Sequence, residues 1–248
     1  MKLVAYERRP ISRHLLISVW AGVTLLIIVG IGAAVMRASF LSDLAARLEP
    51  LRSSVLSVFG LAEPNIALRA TEVARVDSRF AAYPLATLLH VLPGGVLLAL
   101  VPLQFSRRLR SRYRDLHRWL GRLVLTVAWV SGLTGLFFGV LHPFAGTIER
   151  VTIGLIGTYF LIASGIALAR IRAGRSAAHR EWMIRAVAAA MGISTVRLVI
   201  LPIDVALTPA GFGIQAVFLI SIWVGWGLTL AAAEWWIRRT RPVAPGAA

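Results

Sequence analysis

Cysteine is absent from this chain, and Lys2 is its only lysine. Without a thiol there is no disulfide framework, no thiolate metal site and no cysteine nucleophile. Charge is scarce as well: 15% of the 248 residues are charged, against about 25% in an ordinary soluble domain. No HExxH zinc helix, GxSxG nucleophile elbow, Walker loop or DxD-type acidic cluster occurs, so the metalloprotease, hydrolase and nucleotide-binding chemistries that need those spacings find no support. Acidic residues number 11 against 27 basic ones, a formal charge of +16. Such a balance suits a nucleic-acid binder, but the way the basic residues are distributed argues against nucleic acid as a partner.

What the chain does have is apolar length. Hydrophobic residues make up 58% of it, and the mean hydropathy is +0.75. Six long runs stand out, near Leu15–Met36, Pro84–Gln104, Trp119–Leu141, Val151–Arg170, Trp182–Ile203 and Phe212–Ile237. About 20 apolar residues are what a helix needs to cross a hydrocarbon core of about 30 Å. The expected fold class is therefore all-α: a polytopic transmembrane helical bundle of six spans, one domain over residues 1–248. The first run is longer than the roughly 7–15 residues of a signal-peptide core. No clean A-x-A site follows it, and Arg8–Arg9 lacks the rest of a twin-arginine motif, so it reads as an anchor.

Basic residues collect in alternate loops. One side holds Lys2, Arg8, Arg9 and Arg13, then Arg107 to Arg118, then Arg172, Arg175 and Arg180, then Arg238, Arg239 and Arg241. On the other side Arg150 stands beside Glu149, and the six arginines of residues 37–83 are offset by five carboxylates. The positive-inside rule then expects both termini in the cytoplasm of a bacterial inner membrane, with anionic lipids against the basic loops. Trp119, Trp182, Trp235 and Trp236 fall at the same inner boundary, where amphipathic rings anchor.

Residues 37–83 form the one sizeable segment outside the spans. Ser42-Asp43-Leu44 offers an N-cap, leucines recur at helical spacing (Leu44, Leu48, Leu51), and Pro50 reads as a break. Leu56, Val58, Phe59 and Leu61 carry the apolar character on to Glu63-Pro64-Asn65. The expectation is one or two short amphipathic helices on the outer membrane surface, serving as a connector, with a lid over an outward cavity as the alternative. In the third span Ser131, Gly135 and Gly139 lie on one stripe, and the fourth supplies Gly154, Gly157, Ser164 and Gly165. Small residues let helix backbones approach closely in lipid, and these stripes read as internal packing.

Polar side chains inside a bilayer are costly, so each needs a reason. Counting about 1.5 Å per residue, His90 and Arg197 share a level roughly 6–7 Å outside the midplane. Pro93-Gly94-Gly95 follows His90, and a proline there deprives the Leu89 carbonyl of its helical partner. One reading is a polar pocket for a ligand, a quinone headgroup or haem. The other is a hydrogen bond from His90 to backbone or to Thr87, with Arg197 reaching towards Asp204. Deeper on the inner side, Arg122, Arg185 and Glu234 lie about 11–14 Å below the midplane. An interhelical ion pair of Glu234 with one of those arginines is the expected resolution. At the inner boundary, His117 and His179 each open a span. They could ligate one b-type haem iron or bind lipid phosphate, or simply anchor the interface. His142 lies about a dozen ångström above His90, too far to share a metal with it. No span carries two histidines about four turns apart, which lowers a di-haem reading, and the lack of paired intramembrane carboxylates lowers a transporter reading.

At these motifs the chain resembles a bacterial integral-membrane family, domain-of-unknown-function family 2306. The landmarks are His90 with Pro102-Leu103-Gln104-Phe105, then Leu116-His117-Arg118-Trp119-Leu120-Gly121-Arg122, then Gly132-Leu133-Thr134-Gly135-Leu136. They continue through His179-Arg180-Glu181-Trp182-Met183-Ile184-Arg185, Arg197-Leu198 and Ala233-Glu234-Trp235, over roughly residues 84–237. His14 and His142 fall outside the pattern. The resemblance implies a polytopic helical membrane protein and supplies no reaction. The candidate ligand-binding residues are accordingly His90, Arg197, His117 and His179, with Arg122, Arg185 and Glu234 as structural ions.

Overall fold

A computed structural model describes residues 11–58 and 66–241, and all the regular structure among them is helical. In chain order the helices are α1 (Arg13–Ser39), α2 (Leu44–Val58), α3 (Ile66–Ala82), α4 (Pro84–Phe105) and α5 (Arg107–Arg112). They continue with α6 (Arg114–Leu136), a π-helical segment (Phe137–Leu141), α7 (Gly146–Arg172), α8 (Ser176–Leu207), a short 3-10 turn (Thr208–Ala210) and α9 (Ile214–Thr240). Six of them, α1, α4, α6 with its π segment, α7, α8 with the 3-10 turn, and α9, are long and apolar enough to cross a membrane. With six crossings, both ends of the described chain lie on one face of the bundle, here the terminal face. The opposite face carries α2 and α3.

The spans found are longer than the apolar runs. Helix α6 begins at Arg114 rather than Trp119, and α8 runs for 32 residues. Hydrophobicity marks only the part of a helix in hydrocarbon, whereas backbone hydrogen bonding carries on through arginine-rich turns whose side chains reach water. Local signals set several ends. The Ser12 hydroxyl accepts from the Leu15 amide at 3.2 Å, Pro84 takes the first turn of α4, and the Ser106 hydroxyl caps α5. Gly174 (φ 72°) and Gly211 (φ 85°) turn the chain ahead of α8 and α9, in a backbone region that other residues enter at a cost.

One expectation for the 37–83 segment changes. Pro50 does not break α2, which continues through it to Val58; a proline inside a helix removes the hydrogen bond to the carbonyl four residues earlier, which can bend the axis without ending it. A second helix, α3, occupies Ile66–Ala82, within the one or two expected, and its C-terminal half is tied to the bundle through Asp77 and Arg79. Lys2, Arg8 and Arg9, like Phe59, Leu61 and the Glu63-Pro64-Asn65 stop, lie outside the described residues.

Five spanning helices close a ring: α1 packs on α4, α4 on α6, α6 on α7, α7 on α8, and α8 back on α1. Helix α9 lies against α8. Glycines set these spacings. A Cβ on Gly132 would stand 2.9 Å from the Phe160 ring, and one on Gly157 would stand 2.6 Å from Leu136. One on Gly139 would collide with Ile153, so α6 and α7 meet through the small residues of their stripes. On the other side Trp226 covers Gly192 and donates its indole N–H to the Ala189 carbonyl at 2.8 Å. Side-chain hydrogen bonds also cross between helices, Trp129 to Ser164 at 3.0 Å and Thr195 to Thr229 at 2.7 Å. Many apolar side chains point outward, among them Ile28, Leu85, Trp119 and Leu155, each more than 60% exposed. In water that surface would aggregate; in lipid it is solvated.

Candidate functional site

The ring encloses a cavity of about 250 Å³, opening out of the bundle and lined from every helix of the ring. Its wall runs from Arg79 and Phe80 of α3, past His90 and Arg197, to Leu97, Phe160 and Trp226 near the middle of the spans. Aliphatic, aromatic and glycine positions dominate it; His90, Ser131, Glu149, Arg79 and Arg197 supply its polar groups. A mostly apolar concavity with a few convergent polar groups is the usual form of a small-molecule site. The π-helical segment places Phe138 and Gly139 in the same wall. Such one-turn π insertions re-aim side chains and often accompany functional sites.

His90 is held rigidly. Its Nδ1 lies 2.8 Å from the Ser131 carbonyl, and the Ser131 hydroxyl donates back to the His90 carbonyl at 2.8 Å. A carbonyl only accepts, so Nδ1 carries the proton and Nε2 is left as an acceptor. The ring packs over Gly135, where a Cβ would come within 2.9 Å of the imidazole. His90 therefore does bond backbone, but not Thr87, whose hydroxyl donates to the Phe80 and Tyr83 carbonyls. Arg197, close enough to act on His90 electrostatically, borders the cavity as an exposed side chain, without a hydrogen bond or ion pair among the described residues. Asp204 is not its partner: it is buried and accepts from the Thr208 hydroxyl at 2.8 Å. Two turns along α8 separate them, and a side chain following the helix towards the cavity turns away from that carboxylate.

Helix α3 contributes two ion pairs. The Arg37 Nη1 donates to Asp77 at 2.7 Å, with both side chains buried, and the second Asp77 oxygen accepts from the Ala46 amide at 3.1 Å. One carboxylate thus ties α3 to both α1 and α2. Arg79 donates to Glu149 at 3.3 Å and to the His142 carbonyl at 3.1 Å, while Glu149 also accepts from the Ala145 amide at 2.6 Å. Burial pushes the Arg79 guanidinium below its ordinary range, against the opposing pull of Glu149. Its Nε is buried and has no partner among the described residues. Phe80 lies between, with the Arg37 guanidinium 4.5 Å from its ring centre.

At the terminal face, Glu234 takes Arg185 as its partner through two bonds, 2.5 and 3.1 Å. Arg122 is not part of that pair: it is exposed on α6 and makes no ion pair among the described residues. Helix α6 does not neighbour α9 in the ring, so equal depth does not bring the two together. Glu181 lies 3.9 Å from Arg185 and receives two bonds from Arg241, which joins the start of α8 to the end of α9. That carboxylate raises the Arg241 guanidinium.

His117 and His179 do come into electrostatic range of one another. The His179 Nδ1 bonds the Ala167 carbonyl at 2.8 Å, leaving its Nε2 as an acceptor. His117 Nδ1 and Gln104 Nε2 are buried without partners among the described residues. Gln104 was visible in the sequence only as part of a family landmark; a lone glutamine near a span end carries no depth signal of its own. Among the described residues no group of three or more histidine, aspartate and glutamate side chains is placed to hold a metal ion.

A ring of apolar helices around a cavity with a few fixed polar groups defines a multi-pass membrane protein of the helical-bundle class. The chain belongs to the family described as predicted membrane protein (DUF2306), whose sequence model matches residues 87–237. The matched stretch holds His90, Ser131, Glu149 and Arg197, whereas α3 with Arg79 lies before it. No match is found among curated proteins or among solved structures.

Proposed function

We propose that the protein binds a small molecule between its helices, in the cavity bordered by His90 and Arg197. The observation that carries this reading is a cavity of about 250 Å³ in which a fixed imidazole acceptor and an unpartnered guanidinium face the same space. His90 also serves the bundle by bonding α6 through Ser131, but Arg197 makes no such contact among the described residues. An apolar residue at Arg197 would pack without the cost of a charge inside the membrane. Helix α3 is the cover of this cavity, held down by Arg37–Asp77 and Arg79–Glu149. At the terminal face, the unpartnered Gln104 amide and His117 ring, with Arg110 close by, mark where the basic loops would meet the phosphate of an anionic lipid. That face is the cytoplasmic one, in the cytoplasmic membrane of a bacterium.

Ala190→Phe tests the cavity directly, because Ala190 lines it and a phenyl ring would fill much of its volume. Purified wild-type protein in nanodiscs is expected to gain thermal stability from ligands in a small-molecule panel, and the variant to lose that gain while remaining monodisperse and helical. Hits that stabilise both proteins equally would place binding elsewhere and refute the assignment.

A further inference from the structure

Resting on the cavity reading, we propose that its ligand is a small organic anion: an acid of one negative charge with a short apolar body, its head on Arg197 and Arg79. Three arginines meet at the α3 end of the ring, Arg37, Arg79 and Arg197, with Arg37 near enough to repel Arg197. Two carboxylates answer them. Asp77 is taken by Arg37 at 2.7 Å and Glu149 by Arg79 at 3.3 Å, so one positive charge is left over, and it is Arg197 that has no partner.

The hydrogen-bonding inventory agrees in sign. The wall offers donors without partners on two arginines, the Arg197 guanidinium and the buried Arg79 Nε, beside one free acceptor, the His90 Nε2, and a guanidinium has no acceptor to offer. A charged group in a largely apolar space is costly until something of opposite charge meets it. A carboxylate accepts two parallel guanidinium bonds, and such charge-assisted pairs are the strong ones. A cationic ligand would meet Arg79 and Arg197 in the wall, and a neutral one would leave Arg197 uncompensated.

Size limits the rest of the molecule. About 250 Å³ lies just under the roughly 300–1,000 Å³ of drug-sized pockets. That excludes a two-chain lipid and admits a short acyl or single-ring acid. Below Arg197 the wall becomes apolar at Ile193, Leu97, Phe160 and Trp226, so the body of the acid points towards the bilayer middle with its head under α3.

The test uses the full chain in nanodiscs at pH 8 with three ligands of one length, octanoate, 1-octanol and octylamine, and with empty nanodiscs subtracted. A hydrogen-bonded charge contributes about 1.5–3 kcal/mol, so octanoate is expected to bind roughly 10- to 100-fold more tightly than octanol. Arg197→Gln should abolish that ratio while leaving octanol affinity in place, and Arg197→Lys should keep most of it. Octanol or octylamine matching octanoate in the wild type would overturn the anionic class and leave the cavity reading standing. Binding of all three that survives Ala190→Phe unchanged, or no binding of any, would overturn both.

Discussion

Asp77→Asn is the sharpest single perturbation the structure offers. It keeps the shape of the side chain and its acceptor for the Ala46 amide, and it removes the charge that faces Arg37 at 2.7 Å. The Asp77 and Arg37 side chains are 3% and 11% exposed, so this is a buried pair and not a surface one. Removing one partner of such a pair typically costs about 3–5 kcal/mol, because the other is left charged and uncompensated. The pair exists only while α3 is docked, so the cost falls on docking rather than on the ring. At 1.4 kcal/mol per decade the docking equilibrium constant should fall by roughly 10²- to 4 × 10³-fold. Hydrogen exchange resolved by peptide is the assay. Amides of α3 should lose protection by about that factor, while those of α7 and α8 keep theirs. Arg37→Met combined with Asp77→Asn should restore part of the loss, since an apolar pair removes the stranded guanidinium. Unchanged exchange in α3, or equal loss in every helix, would refute the view that this ion pair holds α3 as a cover.

Two further outcomes are expected. Glu234→Gln should lower thermal stability in detergent by about 1–3 kcal/mol, between a surface pair and a fully buried one because Glu234 is 38% exposed. Coupling should appear in a double-mutant cycle with Arg185 and not with Arg122, and additivity with Arg185 would remove the pair from the account. In this cysteine-free chain, Ser53→Cys should react with an impermeant thiol reagent on intact cells and Ser176→Cys should not; the reverse pattern would invert the orientation.

The spans were legible because bilayer thickness alone dictates their length, and no tertiary contact is needed to see a run of 20 apolar residues. Depth was legible for the same reason, which is how His90 and Arg197 could be put at one level by counting rise. Rotation about the helix axis was not. Arg122 and Arg185 share a depth, yet only Arg185 faces Glu234, because α8 packs against α9 and α6 does not. The docking of α3 was hidden for a different reason. Asp77 and Arg79 read locally as solvated charges, and their partners Arg37 and Glu149 lie 40 and 70 residues away. The cavity itself is a property of how five helices close on one another; in the sequence only the shared level of His90 and Arg197 beside Pro93-Gly94-Gly95, and the glycines Gly135 and Gly139, bear on it. Even those record contact more than space: a Cβ on Gly135 meets His90 and one on Gly139 meets Ile153.

The two ends of the bundle are built differently, and the difference bears on access. At the terminal face the ions join helices that are already neighbours: Glu234, Arg185, Glu181 and Arg241 run between α8 and α9, whose glycines at Gly192 and Gly225 bring their backbones together. Breaking any one of those pairs leaves the helix contact in place. At the opposite face the ions join α3 to helices it meets little otherwise; its main packing partners in the chain are α2 and α4. Arg37–Asp77 reaches to α1 and Arg79–Glu149 to α7, on separate sides of the ring. Two charge pairs can be released together by a small movement of one helix, whereas a packed apolar seam cannot. An anion at the Arg79 Nε, which Glu149 leaves unpartnered, would share that guanidinium with Glu149 and bridge it to Arg197, so the ligand would add to the contacts that hold α3 down. That coupling is reciprocal: whatever releases α3 must then weaken the cavity's hold on the anion.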